Sequence, residues 1–237
     1  MGLWVVAFTL LAGSTILPAR EPAASPANSV GNWFSRNEQP LEQYRALRRM
    51  HAATTKGGHE AWLEAWTELN DGKFSYEIVS ERGSDMVRGK VLRAMLKKEQ
   101  ELVNSGQQSK GDLTPANYEF AEATRTEDGS QVVEIKPKRD DVLLVEGRAV
   151  LNEGGELMRV EGKLSKNPSF WTSLVNIVRR YARIGGVRVP VATETTAKIK
   201  FVGTSHLQVV YDYESVNGRT VSLSERRRAA PVHIAER

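Results

Sequence analysis

From Glu60 to Leu69 the chain alternates, with Ala61, Leu63, Ala65 and Leu69 on one side and Trp62, Glu64, Trp66 and Glu68 on the other. That period of two is the mark of a strand with one buried face. Lys56-Gly57-Gly58 before it and Asp71-Gly72 after it are turn signals, and Phe74 to Ser80 follows as the next strand. Upstream, Leu41, Tyr44, Leu47 and Met50 recur at helical spacing, while Tyr44, Ala46, Met50 and Ala52 alternate. The hairpin that follows favours a strand over Tyr44 to Ala53, and the three runs predict an antiparallel meander.

One segment keeps a helical period. Ser84 is placed to act as N-cap, and Val87, Val91, Leu92, Met95, Leu96, Leu102 and Val103 form one face until Gly106 ends the run. Gly89 inside it costs up to about 1 kcal/mol relative to alanine, so this helix depends on a surface to cover.

From Tyr118 the pattern returns to strands. The runs Gln131 to Lys136, Val142 to Asn152, Glu156 to Ser165, Ser169 to Ile184, Val187 to Val202 and His206 to Val216 are separated by Asp128-Gly129, Glu153-Gly154-Gly155, Gly185-Gly186, Gly203 and Asn217-Gly218. With the meander this makes about nine or ten strands joined by short turns, a sheet large enough to curl. The predicted fold is mainly β (α+β): a half-open antiparallel β-barrel with a helical lid, spanning residues 41–222.

The ends differ in composition. Leu3 to Leu11 is an uncharged apolar run followed by Ala12-Gly13-Ser14, which reads as a secretory signal or short anchor over residues 1–17, although no Lys or Arg precedes it. The apolar stretch of about 15 residues is shorter than the roughly 20 that cross a bilayer. Leu11-Ala12-Gly13 begins like a lipidation motif, but Ser14 stands where the lipid-bearing cysteine would be. Residues 18–40 are rich in Pro, Ala, Ser and Asn and read as a flexible linker, and residues 223–237, with Arg226-Arg227-Arg228, as a basic, solvated C-terminal tail. Export implies the periplasm.

The 237 residues contain no cysteine, which closes thiol chemistry and disulfides, and the net charge of +4 is scattered rather than gathered in a stripe that would suit nucleic acid. No nucleophile elbow, helical metal-ligand pair or phosphate-cradling glycine loop is present. Ser205-His206 lack catalytic spacing, the four histidines are widely spread, and Asp140-Asp141 lie beside a turn. No catalytic residue, metal or cofactor is expected.

Aromatic residues carry the positive signal. Trp62, Trp66, Phe74, Tyr76, Phe170, Trp171, Tyr181 and Tyr211 fall on or beside predicted strands, and Val91 and Met95 on the helix that would cover them. Packed together they form either an ordinary core or the lining of an apolar pocket. Each buried CH₂ of a guest contributes about 0.8 kcal/mol, so a chain of roughly 16 carbons gains on the order of 10 kcal/mol.

Several segments resemble a known family: Phe74-Ser75-Tyr76-Glu77 with Glu81-Arg82-Gly83-Ser84, Lys90-Val91-Leu92, Leu113 to Phe120, Ile135-Lys136-Pro137-Lys138, Val160-Glu161-Gly162, Pro168-Ser169-Phe170-Trp171, Arg183 to Pro190 and Tyr211 to Gly218. Together they resemble the bacterial lipoprotein-localisation factors, in particular the outer-membrane lipoprotein-sorting proteins. The resemblance implies a monomeric periplasmic carrier whose cavity takes lipid, acyl chains or a lipidated protein, with transient membrane contact and no catalysis. Members of that superfamily also act as envelope sensors that bind a protein partner, which is the alternative. The chain lacks the receptor member's lipidated cysteine, and no residue is matched one for one to the carrier's cavity arginine.

Overall fold

The structure is a computed structural model that describes residues 39–170, 172–200 and 203–229. The expected signal and nearly all of the expected linker lie outside the described residues. Three long strands, β1 (Tyr44–Thr54), β2 (Glu60–Asn70) and β3 (Lys73–Gly83), form the meander read from the sequence. Asp71 and Gly72 both take positive φ, 50° and 70°, as a two-residue hairpin requires for its twist to match the strands.

A continuous helical stretch, α1, follows. It begins as an α-turn at Asp85–Val87, widens to a π-helical segment at Arg88–Arg93 and continues as α-helix through Ala94–Asn104. Ser84 does not cap it with its side chain as expected; its carbonyl accepts from Arg88 N–H at 2.9 Å. Gly106, at φ 69°, ends the stretch. Among the described residues no helix is long and apolar enough to cross a membrane.

The remaining strands are β4 (Tyr118–Phe120), β5 (Thr124–Arg125), β6 (Gln131–Pro137), β7 (Val145–Leu151), β8 (Leu157–Leu164), β9 (Thr172–Ile184), β10 (Val187–Ile199), β11 (Gly203–Val216) and β12 (Arg219–Thr220). Two expected strand starts move inward. Val142 to Leu144 is a turn, in which the Asp141 carboxylate accepts from Leu143 N–H, and residues 169 and 170 precede β9. The expected tail from residue 223 instead opens with a second helix, α2 (Leu223–Ala229), whose Ala229 packs on the core.

All strands join one antiparallel sheet of twelve, ordered β3-β2-β1-β11-β10-β9-β8-β7-β6-β4, with β12 on β11 and β5 on β6. Both ends stay unpaired with each other, so the sheet is a half-open barrel, with α1 over its inner face. Every neighbour on the main path follows its partner closely in sequence except β1 and β11. Pro190 sits in β10 where the register with β9 shifts, a position a residue without an N–H tolerates.

Burial alternates along the strands and defines the inner face. On β1 it carries Tyr44, Ala46, Arg48, Met50 and Ala52, and on β2 Ala61, Leu63, Ala65 and Thr67. The outer face carries a lattice of ion pairs, among them Arg45 with Glu68 and Glu214, Arg49 with Glu64, Arg148 with Glu161 and Arg180 with Glu194. Pairs this exposed contribute little individually but suppress edge-on and face-on association.

Candidate functional site

The inner face under α1 is solid. Val87, Leu92 and Leu96 of the helix, each at most 2% exposed, rest on Met50, Ala52, Ala61, Leu63, Ala65 and Val209. The alanines let the helix backbone approach the sheet closely. No pocket of the expected kind is open there. Two open, shallow depressions lie elsewhere: one of about 520 Å³ among Lys110, Asp112, Asn117, Arg139 and Asp141, and one of about 700 Å³ around Phe120, Ile135, Gly147 and Gly162. Burial alone raises the Asp112 carboxyl above its ordinary value.

Polar contacts fasten the helix at three places. Near its start, Glu81 of β3 accepts from Arg88 and Arg93 at 2.9 Å each. In the middle, Arg48 of β1 donates to both carboxylate oxygens of Glu99 at 2.5 and 2.7 Å and to the Tyr44 hydroxyl at 2.7 Å. At its end, the Asn104 side chain pairs with the backbone of Phe74.

Arg48 is 2% exposed, and its guanidinium lies over the rings of Tyr211 at 4.7 Å and Phe74 at 5.1 Å. Burial pulls its pKa down, but Tyr211, Glu99 and Tyr44 together hold it well above the usual arginine value. Burial likewise pushes the Tyr44 phenol up to about 12 and Tyr213 well above its ordinary value. Tyr44 and Tyr213 meet edge to face at 5.7 Å, and Tyr213 donates to the Pro190 carbonyl at 2.8 Å.

Beside the helix a strip of inner face stays uncovered. Register places Arg179 of β9 between Thr193 of β10 and Val160 of β8, with Ile177 and Tyr181 two residues away along β9. Across the strip stand Leu207 and Tyr211 of β11, and from the helix Val91 and Met95, all half-buried against the core below α1. Arg179 is exposed to solvent. Its charged form is favoured first by Tyr181, opposed by burial, and favoured further by Tyr211 and Glu99. Arg179 thus stands as an exposed cation on the inner face, between the buried side chains of Thr193 and Val160.

The residues chosen from sequence therefore divide. Val91, Met95 and Tyr211 pack together against the core below α1, Tyr181 packs on the neighbouring cluster built from β6, β7 and β8, and Tyr76, on β3, packs between the two clusters nearer the helix. Phe74 is 2% exposed and belongs to the core. Trp62 and Trp66 lie on the opposite, outer face, where Trp62 stacks on His51 under Arg82 and Trp66 lies under Arg45. Phe170 is 79% exposed in the β8–β9 connection with Lys200 over its ring, and Trp171 lies outside the described residues. Sequence reasoning missed Arg48, Arg179 and Glu99. The signal for the first was present, because Arg48 is the missing member of the alternating series Tyr44, Ala46, Met50, Ala52.

Among the described residues no three His, Asp or Glu side chains converge as metal ligands. No family model and no curated protein matches the chain. Among solved structures it is similar to the crystal structure of a DUF1329 family protein from Desulfovibrio piger, at 10% identity and a TM-score of 0.32, covering 81% of this chain and 92% of that one. A likeness of that degree carries no argument about function.

Proposed function

We propose that the chain is a non-catalytic carrier or binding protein for acyl-chain ligands of the cell envelope, acting in the periplasm with the lipoprotein-localisation type of fold. One observation carries the reading: an unclosed sheet whose inner face is only partly covered, leaving a strip of half-buried apolar side chains beside a helix that polar contacts hold down. A soluble domain has no structural need for such a strip, and exposed apolar surface of this kind is what ligands use.

Magnitudes allow the helix to give way. Val87, Leu92 and Leu96 hold it with about 2 kcal/mol of buried side chain each, roughly 6 kcal/mol together. A 16-carbon chain sliding from the strip onto the alanine-rich bed returns on the order of 10 kcal/mol. The two nearly offset one another once polar contacts are broken, which is the balance a reversible carrier needs.

Mass spectrometry of solvent extracts from purified protein tests this. Lipid ions in proportion to protein are expected, together with saturable binding of a fluorescent fatty acid; recovering neither overturns the proposal.

A further inference from the structure

We infer that the ligand is an amphiphile with an anionic oxygen headgroup, a carboxylate or phosphate, which Arg179 holds while its hydrocarbon chain lies along the strip. The inference rests on the carrier reading above and specifies what it carries.

The Arg48 guanidinium lies over the Tyr211 ring, and Arg179 stands on the same inner face between Thr193 and Val160. Glu99 is bonded by both its oxygens to Arg48. Among the described residues no carboxylate stands at ion-pair distance from Arg179, whose neighbours on the same face along β9 are Ile177 and Tyr181. The strip therefore carries one positive charge without an acid beside it among the described residues.

That surplus is local. On the outer face of the same strand the next residue, Arg180, is paired with Glu194. A cation whose neighbours are tyrosines and aliphatic side chains, rather than acids, is complementary to an anion that arrives attached to hydrocarbon. Guanidinium binds such oxygens by charge-assisted, often bidentate, hydrogen bonds. Ile177 beside it, and Leu207 and Met95 across the strip, supply the apolar continuation.

The experiment compares 11-(dansylamino)undecanoic acid with its methyl ester at pH 8, on the full chain and on Arg179→Gln and Arg179→Lys, with folding checked by circular dichroism. The unaltered chain is expected to prefer the acid about tenfold, ~1.4 kcal/mol. Arg179→Gln should abolish the preference without weakening ester binding, and Arg179→Lys should retain part of it. Equal binding of acid and ester by the unaltered chain overturns this inference and leaves the carrier reading intact. Binding of neither overturns both. Inorganic phosphate added at the probe's concentration should not displace it; displacement would mean that a free anion suffices and would overturn the amphiphile assignment.

Discussion

The side-chain amide of Asn104 is hydrogen-bonded to both backbone groups of Phe74: its oxygen accepts from the Phe74 N–H at 2.7 Å and its nitrogen donates to the Phe74 carbonyl at 3.2 Å. It mimics the next strand of the sheet at the β3 edge, and it fastens the end of α1 there. Asn104→Ala is expected to cost about 2 kcal/mol, since each lost hydrogen bond contributes roughly 1 kcal/mol. Amide hydrogen exchange at Phe74 should accelerate in step. Unchanged protection would mean that the contact does not fasten the helix.

Removing the partner of a buried charge costs more than removing the pair. Glu99→Ala should destabilise the chain by about 3 kcal/mol in urea, because Arg48 stays buried without its counter-charge. The double change Arg48→Met with Glu99→Leu should return to within about 1 kcal/mol of the original. A double variant no better than the single one would refute this account of the contact.

Ligand binding should distinguish the two faces. Met95→Glu or Ile177→Glu puts a carboxylate into the strip and is expected to weaken fatty-acid binding by at least about tenfold, ~1.4 kcal/mol. Trp62→Phe and Trp66→Phe alter only the outer face and should change affinity less than about twofold, ~0.4 kcal/mol. Equal losses from both sets in a fluorescence titration would contradict the placement of the site.

Alkaline pH should loosen the core through Tyr44. Its phenol is neutral in the fold and its pKa is raised from 10.0 to about 12. A raised value means that the stabilisation is complete below pH 10, where the unfolded phenol is also protonated, and is lost as pH rises through about 12. The difference in 295 nm absorbance between the unaltered chain and Tyr44→Phe should appear near pH 12; a difference already complete at pH 10 would contradict it.

Gly147 faces Gly162 across β7 and β8. A Cβ on Gly147 would meet the Glu161 carbonyl oxygen at 2.2 Å and the Gly162 Cα at 2.6 Å, both backbone atoms that cannot step aside. Gly147→Ala is therefore expected to cost about 2–3 kcal/mol or to shift the register of the pair. Thermal unfolding measures it, and a variant as stable as the original would show that the strands are free to separate.

Strands and turns were legible because alternation and the turn dipeptides agree with the sheet at almost every hairpin. Which side of a strand faces inward was not. On β2 both Ala61-Leu63-Ala65 and the tryptophan side satisfy period two, and aromatic size favours the tryptophans. What decides is the helix: α1 can approach the sheet closely only over small residues, so the bulky rings lie outside, where Arg45, His51 and Arg82 cover them. Arg48 and Arg179 were missed for the same kind of reason. A charge on an inner face looks like an error in the pattern until, for Arg48, Glu99 is seen beside it from 51 residues away.

The pairing of β1 with β11 also fixes when this chain can acquire its shape. The two strands are separated by roughly 150 residues, and a pairing at such range is slow to form and rewards the chain only late. A polypeptide that stops short of residue 203 offers the backbone groups of Tyr44–Thr54 to any passing strand. The completed sheet thus exists only once almost the whole polypeptide has been made, and incomplete chains should be recognisable by their tendency to clump.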